Sequence, residues 1–410
     1  MTEPHTSSTV STSSPLSRFG TQTNRLSFVT EESNFEDLKK EFTNRGLTYK
    51  DFPNVNMYVL KYNRKTADLS DPDTRRCRGL VFDRTTNEIV GTCPEKSICL
   101  GDFATDSEAV IYEEFYDGTN VNVFYHNDCW HISTRSSIGA ATSFSTEKTF
   151  RDMFFESLQF DLEQLDKTIM YSFVLLHKDN RIVCPIPENR VILVEARGRV
   201  EDNTIVNLSL PEVRKYLIDT CCLSEENLHI PATYTFETLE EAKTYTNSLG
   251  IESQGLVLKL LDGNTRGKIR GETYTHARLI KGNTSNLFER YLFLRQNRQI
   301  KIYLRYFPEA DEAFRKYNRD INNLVNDLHF TYIRCFIRKE IEHKDCKYVF
   351  KPMIYALHKF HLTEGAIITR EEAYIYFCEL PVEKQMFVLN NLDKVIVVPD
   401  KNQEQTETSN

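Results

Sequence analysis

The fold of this chain is decided by the stretch Tyr112-Glu-Glu-Phe-Tyr-Asp-Gly-Thr-Asn-Val-Asn-Val-Phe-Tyr-His-Asn-Asp-Cys-Trp-His-Ile-Ser-Thr-Arg135. At its centre, Asp117-Gly118-Thr119 is followed by two alternating apolar runs, residues 121–125 and 130–134. The turn-forming pair Asn127-Asp128 separates the runs, so the pattern predicts a glycine turn that leads into a β-hairpin. Such an arrangement is suited to holding a ligand against a sheet.

The same stretch resembles the nucleotide-binding motif of the covalent nucleotidyltransferases, the superfamily of RNA ligases, DNA ligases and capping enzymes. In that superfamily a lysine two residues before the Asp-Gly pair attacks the α-phosphate of ATP. Here that position is Phe115. A phenyl ring has no lone pair to donate, so it cannot form the covalent lysyl-nucleotide bond. The resemblance makes Asp117, Gly118 and Thr119 candidate nucleotide-binding residues.

Length and composition indicate two globular domains, because 410 residues exceed one ordinary core. The chain has 59 acidic and 51 basic residues, a net charge of -8, so any basic binding surface has to be local. No apolar run approaches about 18 residues, and we expect neither a membrane span nor a secretory signal. None of the ten cysteines forms a Cys-x-x-Cys pair. We expect a reducing, cytoplasmic environment, with metal binding as the alternative use of the thiols.

Both ends of the chain have a polar composition. Among the first 27 residues, 13 are Ser or Thr, and we expect residues 1–30 to be a disordered tail. The alternative is a transit peptide, since Arg18 and Arg25 accompany a single acidic residue, Glu3. Residues 397–410 are predicted to be a second disordered tail. The apolar spacing of residues 35–42 predicts a short helix at the start of the folded structure.

Two basic residues lie upstream of the Asp-Gly motif. The segment Arg75-Arg-Cys-Arg-Gly-Leu-Val-Phe-Asp83 predicts a strand that begins beside Arg78, and residues 89–90 begin the return strand. Lys96 follows in Pro94-Glu-Lys96. In this order, the motifs closely resemble the phage-type RNA ligases of the tRNA-repair group. The resemblance implies that Arg78 and Lys96 contact the triphosphate.

Three further segments continue the resemblance downstream. Ser133-Thr-Arg-Ser-Ser137 offers hydroxyls and the Arg135 guanidinium for a phosphate or sugar. Residues 170–183 are predicted to form two strands around a turn at 178–180, and Val174 stands where the active enzymes place a ribose-binding glutamate. The predicted strand 191–197 resembles the one that packs near the adenine.

The last two motifs concern metal and phosphate. Glu252-Ser-Gln-Gly-Leu-Val-Leu-Lys-Leu260 resembles the strand whose glutamate helps to hold the metal and nucleotide; that glutamate is Gln254 here, and Lys259 is retained. An amide brings no negative charge to Mg²⁺. On a strand, Glu252 and Gln254 would share a face, which leaves partial replacement open. Lys268-Ile-Arg270 resembles the phosphate-binding Lys-x-Lys motif, although two basic residues at this spacing also suit a solvated edge.

From residue 283 the apolar residues recur at three and four, which predicts helices. Residues 283–351 contain 14 Lys or Arg and 9 Asp or Glu, a surplus of five basic residues. Arg334, Arg338 and Lys339 are candidate RNA-binding residues on one helix. Tyrosines lie among the basic residues (Tyr291, Tyr303, Tyr306, Tyr317 and Tyr332) and suit either stacking on bases or packing in a core.

We therefore expect an α+β nucleotidyltransferase core of antiparallel sheets over residues 31–282, followed by an all-α domain over residues 283–396. The leading hypothesis is a catalytically degenerate RNA-ligase-like protein that binds nucleic acid or nucleotide, or scaffolds a complex, without a certain cofactor. One alternative is a divergent active ligase that uses ATP and Mg²⁺, and another is a structural interaction protein with an empty cleft. A large DNA virus is one source consistent with such a protein.

Overall fold

The computed structural model describes residues 16–98, 100, 110–144, 146–200, 204–260 and 265–392. The chain divides into two compact units, the first ending at Arg278 and the second beginning at Leu279. The first unit carries every strand of the described residues in three antiparallel sheets, and the second is helical. The predicted α+β fold class is therefore confirmed.

The largest sheet, called the large sheet, has seven antiparallel strands. In spatial order they are β1 (Arg18–Thr23), β12 (Thr204–Leu208), β11 (Arg190–Val200), β10 (Ile169–Leu176), β7 (Thr119–His126), β8 (Cys129–Thr134) and β9 (Ser137–Ile138). The predicted hairpin is confirmed as β7 paired with β8. Asn127 and Asp128 have φ values of 49° and 59°, the left-handed conformation that a two-residue hairpin turn of this kind requires.

Two four-stranded antiparallel sheets complete the first unit. The N-terminal sheet has the order β2 (Leu47–Phe52), β3 (Met57–Tyr62), β4 (Arg78–Asp83) and β5 (Ile89–Gly91). The cleft sheet has the order β13 (Thr233–Tyr234), β6 (Val110–Glu114), β14 (Gly255–Leu260) and β15 (Arg266–Arg270). Segment 115–118 joins β6 to β7, so the Asp-Gly motif crosses from the cleft sheet to the large sheet.

Side chains of the large sheet alternate between its two faces, and each face contributes to a core. Val123 and Phe173 belong to a core that includes Phe154 of helix α3 (Phe150–Ser157), whereas Phe124 belongs to a second core with residues of the N-terminal sheet. The first six helices are α1 (Phe35–Asn44), α2 (Pro72–Arg76), α3 (Phe150–Ser157), α4 (Leu210–Asp219), α5 (Leu239–Ser248) and α6 (Glu272–Lys281). Helix α1 covers the helix predicted for residues 35–42.

The second unit contains helices α7 (Leu287–Gln296), α8 (Ile300–Tyr306), α9 (Asp311–Tyr332), α10 (Lys351–Glu364), α11 (Arg370–Glu379) and α12 (Val382–Asn390), with a π-helical turn at Ile333–Ile337. Tyr291, Tyr303 and Tyr332 are buried, so these tyrosines pack in the core and do not present a face for stacking on bases. Nowhere in the described residues does a helix combine the length and the apolar character needed to span a membrane.

The N-terminal region differs from its prediction. Residues 18–23 form β1, which pairs with β12 at the edge of the large sheet, and Leu26 and Val29 are buried. An edge strand is held mainly by backbone hydrogen bonds and does not need apolar side chains. The polar sequence of β1 therefore did not indicate a strand. Disorder stays a prediction for residues 1–15 and for the tail 397–410, which lie outside the described residues.

Two local predictions were wrong. The second strand expected after residue 180 does not form, because the backbone N–H groups of Val183 and Cys184 donate to the Asp117 carboxylate instead of to a neighbouring strand. Strand β14 begins at Gly255, so Glu252 and Gln254 precede it and do not share a strand face. Gly255 has a φ of +131°, and a Cβ there would lie 2.1 Å from the Ile269 carbonyl oxygen.

Candidate functional site

A cleft of about 220 Å³ lies between the cleft sheet and the large sheet. Segment 115–118 crosses it, and Arg78 reaches it from the N-terminal sheet. The strands of the two facing sheets contribute Glu113, Glu114, Asn120, Val174, Val194, Val257, Arg266 and Arg270. The motifs that lie far apart in the sequence are therefore neighbours in this cleft.

The resemblance places catalytic residues of the active enzymes at three positions that hold other residues here, and all three positions line the cleft. Phe115, Val174 and Gln254 lie on its walls, so the structure brings these substitutions together. Val174 pairs with Asn120 across β10 and β7 and adds an apolar surface. None of the three side chains can act as a nucleophile toward phosphorus or carry a negative charge.

Asp117 is buried and organises the loop around it. One carboxylate oxygen accepts hydrogen bonds from the backbone N–H groups of Val183 (2.7 Å) and Cys184 (3.0 Å). The other accepts a hydrogen bond from the Tyr274 hydroxyl at 2.7 Å. Burial, followed by the charge of Asp117, raises the pKa of Tyr274, so its hydroxyl stays a donor. These contacts give Asp117 a structural task within the motif.

The residue types at positions 118 and 119 are explained by their contacts with β10 and with Asn180. A Cβ on Gly118 would lie 2.3 Å from the Leu175 carbonyl oxygen and 2.6 Å from Val174, so only glycine fits. The Thr119 hydroxyl accepts a hydrogen bond from the Asn180 side chain at 2.9 Å. The small residue at position 118 thus lets the motif pass close to the large sheet.

Gln254 and Arg270 form a buried contact beside Phe115. With its amide oriented to satisfy its neighbours, the Gln254 carboxamide oxygen accepts from Arg270 Nε (2.9 Å) and Nη2 (3.0 Å), and its nitrogen donates to the Tyr116 carbonyl (3.1 Å). Arg270 Cζ lies 5.5 Å from the centre of the Phe115 ring, within the range of a cation–π contact. The guanidinium therefore lies between a neutral amide and an aromatic ring.

Strand β15 presents a row of basic side chains. Arg266, Lys268 and Arg270 alternate with buried residues and so share one face. Burial, then the charges of Arg270, Lys96, Arg78 and Arg266, lower the pKa of Lys268 to about 8. A nearby positive charge disfavours the protonated amine, which is why these neighbours reduce its proton affinity.

The phosphate-binding candidates Arg78, Lys96 and Arg135 occupy different positions relative to the cleft. Arg78 lines the cleft and donates to the Pro94 carbonyl at 3.3 Å, while Lys96 Nζ donates to the Ser97 carbonyl at 2.9 Å. The Arg135 guanidinium packs over the Tyr62 ring at 4.9 Å, and Arg135 is not among the residues that line the cleft.

Lys259 is not among the residues that line this cleft. Its Nζ lies 2.7 Å from the Glu113 carboxylate and donates to the Val194 carbonyl at 2.9 Å. It lines a second, smaller cavity of about 160 Å³, and Glu113 lines both cavities.

Several residues of the cleft were not among the sequence candidates, and three of them, Arg266, Tyr274 and Arg278, can donate hydrogen bonds to a phosphate. Arg266 lies two positions before Lys268, and that spacing on a strand was a sufficient signal for it. Tyr274 and Arg278 lie four apart on α6, and both line the cleft. Their helix follows the Lys-x-Arg motif directly, but nothing in the sequence indicates which side of the helix faces the cleft.

The acidic residues of the cleft are engaged. Glu114 accepts a hydrogen bond from the Tyr116 hydroxyl at 2.7 Å, Glu113 pairs with Lys259, and Asp117 accepts the three hydrogen bonds described above. Within the described residues, no group of three or more His, Cys, Asp or Glu side chains is placed to hold a metal ion.

Two of the three candidate RNA-binding residues of the helical unit share one acidic partner. Glu340 contacts both Arg334, at 3.0 Å, and Arg338, at 3.6 Å. The π-helical turn ends at Ile337, and Lys339, with a φ of +56°, lies beyond its C-cap Arg338. The expectation that all three residues lie on one helix is therefore wrong.

No protein-family model matches the chain. It is 24% identical over 387 residues to the "Immediate-early protein ICP-46 homolog" of Invertebrate iridescent virus 6, with 83% of each chain covered. It is 22% identical over 302 residues to a candidate bifunctional polynucleotide kinase/RNA ligase of Autographa californica nuclear polyhedrosis virus, covering 68% of this chain and 41% of that protein. A third relative, the RNA ligase of Rhodothermus phage RM378, is 33% identical over 98 residues, which are 21% of this chain and 22% of the ligase.

Among solved structures, an archaeal ATP-dependent RNA ligase aligns with a TM-score of 0.41 and 18% identity, covering 69% of this chain and 74% of the ligase. The fold is that of the nucleotidyltransferase domain of ligases, as its antiparallel sheets and motif order indicate. In sequence, the chain is similar to viral RNA ligase homologues, which confirms the resemblance drawn from the motifs.

Proposed function

We propose that this RNA-ligase-like protein binds a phosphorylated ligand, a nucleotide or a nucleic-acid terminus, in its cleft without forming a covalent bond to it. The observation that carries the proposal is the pairing of Phe115 with Arg270. The residue at the nucleophile position is an aromatic ring, and a cleft-lining guanidinium lies 5.5 Å from its centre. The site keeps a cation for phosphate where the means of covalent attack is missing.

The charges of the cleft support an anionic ligand. Four arginines line it, namely Arg78, Arg266, Arg270 and Arg278. Its three acidic residues already pair with Lys259 or accept hydrogen bonds from Tyr116, Tyr274 and backbone N–H groups. A phosphate group would accept charge-assisted hydrogen bonds from these guanidinium groups and reduce their mutual repulsion.

The apolar walls support a ligand that also carries a base. Val174 and Val194 lie on the large sheet, and Val257 lies on the facing cleft sheet. A planar base between aliphatic side chains would bury apolar surface on both faces. This combination of apolar walls and guanidinium groups favours a nucleotide over inorganic phosphate.

Covalent transfer from another residue is the competing function, and one observation favours it. The pKa of Lys268 is lowered to about 8, so a fraction of its amine is neutral near pH 7 and can act as a nucleophile. The expected role of Lys268 as a phosphate contact requires the protonated amine. A test for a covalent bond between nucleotide and protein therefore distinguishes covalent transfer from noncovalent binding.

The first experiment is incubation of the purified chain with ATP labelled in its α-phosphate, with Mg²⁺ or Mn²⁺, followed by denaturing electrophoresis. We expect no labelled band for the parent chain or for Phe115→Lys, because Val174 and Gln254 still leave ribose and metal without a carboxylate. A labelled parent that loses its label in Lys268→Arg would establish the competing function.

The second experiment measures binding by fluorescence anisotropy, with a labelled ATP analogue and a short 5′-phosphorylated RNA. We expect Arg78→Met combined with Arg270→Met to weaken binding roughly tenfold or more, as loss of charge-assisted contacts implies. Arg315→Met is the matched control, because Arg315 is exposed in the helical unit and pairs with Asp311. If the parent binds neither probe, the cleft is empty and the scaffold function replaces this proposal.

A further inference from the structure

The superfamily resemblance implies a divalent metal ion, and the donor atoms of the cleft do not meet its needs. Mg²⁺ requires oxygen ligands in near-octahedral geometry, at least one of them usually a carboxylate. The position expected to supply that carboxylate is Gln254, whose amide oxygen already accepts two hydrogen bonds from Arg270. The residues at this position therefore do not fit a metal ion.

The remaining acidic residues do not replace the missing ligand. Glu113 is paired with Lys259 at 2.7 Å, and Glu114 accepts the Tyr116 hydroxyl. Asp117 accepts three hydrogen bonds through its two oxygens, which hold it in its structural role. Glu252, which could have compensated for Gln254, is not among the residues that line the cleft.

Gln254 instead holds a cation in place. Its carboxamide oxygen contacts both Nε and Nη2 of Arg270, and its nitrogen is anchored on the Tyr116 backbone. A neutral amide orients the guanidinium without cancelling its charge, whereas a glutamate would pair with it and neutralise it. The Phe115 ring on another side of Arg270 further limits the movement of the guanidinium.

We infer that Arg270, oriented by Gln254, takes the place of the divalent metal, so that the cleft binds the phosphates of its ligand independently of metal ions. This inference rests on the proposed function. A guanidinium has a permanent charge, donates along fixed directions and is only weakly hydrated, so it can contact two phosphate oxygens at a small cost in desolvation. Lys268 and Arg266, on the same face of β15, extend the positive surface from Arg270.

The clustering of like charges supports the inference. Arg278 is the largest charge contribution lowering the pKa of Arg270, after burial, and Arg270 in turn lowers the pKa of Lys268. Asp117 offsets part of the charge of Arg270, but the neighbouring cations still repel one another, and an incoming phosphate relieves that repulsion. A metal ion brought in with the ligand would increase the repulsion.

The experiment is isothermal titration calorimetry of the full chain with ATP, once in excess EDTA and once in excess Mg²⁺. We expect binding in EDTA that is at least as tight as binding in Mg²⁺. Binding that requires Mg²⁺ would overturn the inference while leaving the proposed function intact. Absence of binding in both conditions, with ATP and with 5′-phosphorylated RNA, would overturn the proposed function itself.

Gln254→Glu tests the role given to the amide. In EDTA we expect this variant to bind ATP roughly tenfold or more weakly, because the new carboxylate pairs with Arg270. Gln159→Glu adds the same charge at an exposed site away from the cleft and should bind like the parent. Equal affinity of Gln254→Glu and the parent would overturn the inference. If Gln254→Glu does not fold, the comparison of EDTA with Mg²⁺ on the parent chain decides the question.

Discussion

The Tyr274 hydroxyl donates a hydrogen bond of 2.7 Å to the Asp117 carboxylate across 157 positions of the sequence. Through this contact, helix α6 is attached to the motif that joins the two sheets of the cleft. The second carboxylate oxygen holds the backbone of Val183 and Cys184. Asp117 therefore joins helix α6 and the backbone of Val183 and Cys184 to the motif of the cleft.

Replacing Asp117 should destabilise the fold. Asp117→Ala removes the acceptor of three buried donors, each costing about 1–3 kcal/mol when left unpaired, so we expect a loss of at least about 3 kcal/mol. Urea denaturation followed by circular dichroism measures it. Tyr274→Phe removes one of the three donors. Its loss in the free energy of unfolding should be about a third of the loss in Asp117→Ala, or slightly more. Equal stability of Asp117→Ala and the parent would contradict this structural role.

Gly118 is predicted to tolerate no side chain. A Cβ there would lie 2.3 Å from the Leu175 carbonyl, so Gly118→Ala should destabilise the chain by about 2 kcal/mol or more through forced movement of β10. Thermal unfolding provides the measurement. Gly198→Ala, on β11 of the large sheet, is the control, since its Cβ would meet Leu208 at 3.5 Å, an ordinary contact distance. A Gly118→Ala variant as stable as Gly198→Ala would contradict the close approach.

The affinity of the cleft for ATP should fall as the pH rises from 7 to 9. Burial and the charges of Arg270, Lys96, Arg78 and Arg266 lower the pKa of Lys268 to about 8, so it loses its charge in this interval. A bound phosphate raises that pKa, so the midpoint of the fall lies at or above about 8. Calorimetric titrations across the interval, without metal ions, measure the profile.

Lys268→Arg keeps the charge and should flatten this profile. The free energy of unfolding should follow the opposite trend, because the pKa of Lys268 is below its ordinary value of 10.5 in the folded state. The unfolded chain binds more protons between about 8 and 10.5, so the contribution of Lys268 to stability rises with pH there. A parent profile identical to that of Lys268→Arg would exclude Lys268 as a ligand contact.

The helical unit yields a separate prediction on RNA. Glu340 contacts Arg334 and Arg338, so Glu340→Gln should strengthen binding of a short single-stranded RNA and make it more salt-dependent. Neutralising Arg334, Arg338 and Lys339 together should have the opposite effect. Fluorescence anisotropy at two salt concentrations measures both. Identical affinities for the parent and both variants would remove this surface from RNA contact.

The sequence determined most of the strands and the order of the motifs. The hairpin at Asn127-Asp128 and the strands on either side of Asn87 were predictable because turn chemistry and period-two alternation are local properties. Phe115, Val174 and Gln254 could be recognised as substitutions because each lies at a fixed position within its own short motif.

The sequence failed where the structure depends on distant partners. Strand β1 is polar and is ordered by the backbone of β12. Val183 was expected in a strand, but its N–H group donates to Asp117, which lies 66 positions away. Lys259 belongs to a retained motif but pairs with Glu113 from a neighbouring strand. None of these partners is visible in a local pattern.

What the sequence by itself determined is the identity of the missing groups: a phenyl ring at 115, a methyl-branched chain at 174 and an amide at 254 cannot perform nucleophilic or carboxylate chemistry in any fold. Only the tertiary structure decided which interactions the residues at these positions make. The Gln254 amide became the support of the Arg270 guanidinium because strand β15 pairs with β14 and places the two side chains together. Hydrogen bonding of this kind depends on distances of about 3 Å, which local sequence patterns do not specify for residues 16 positions apart.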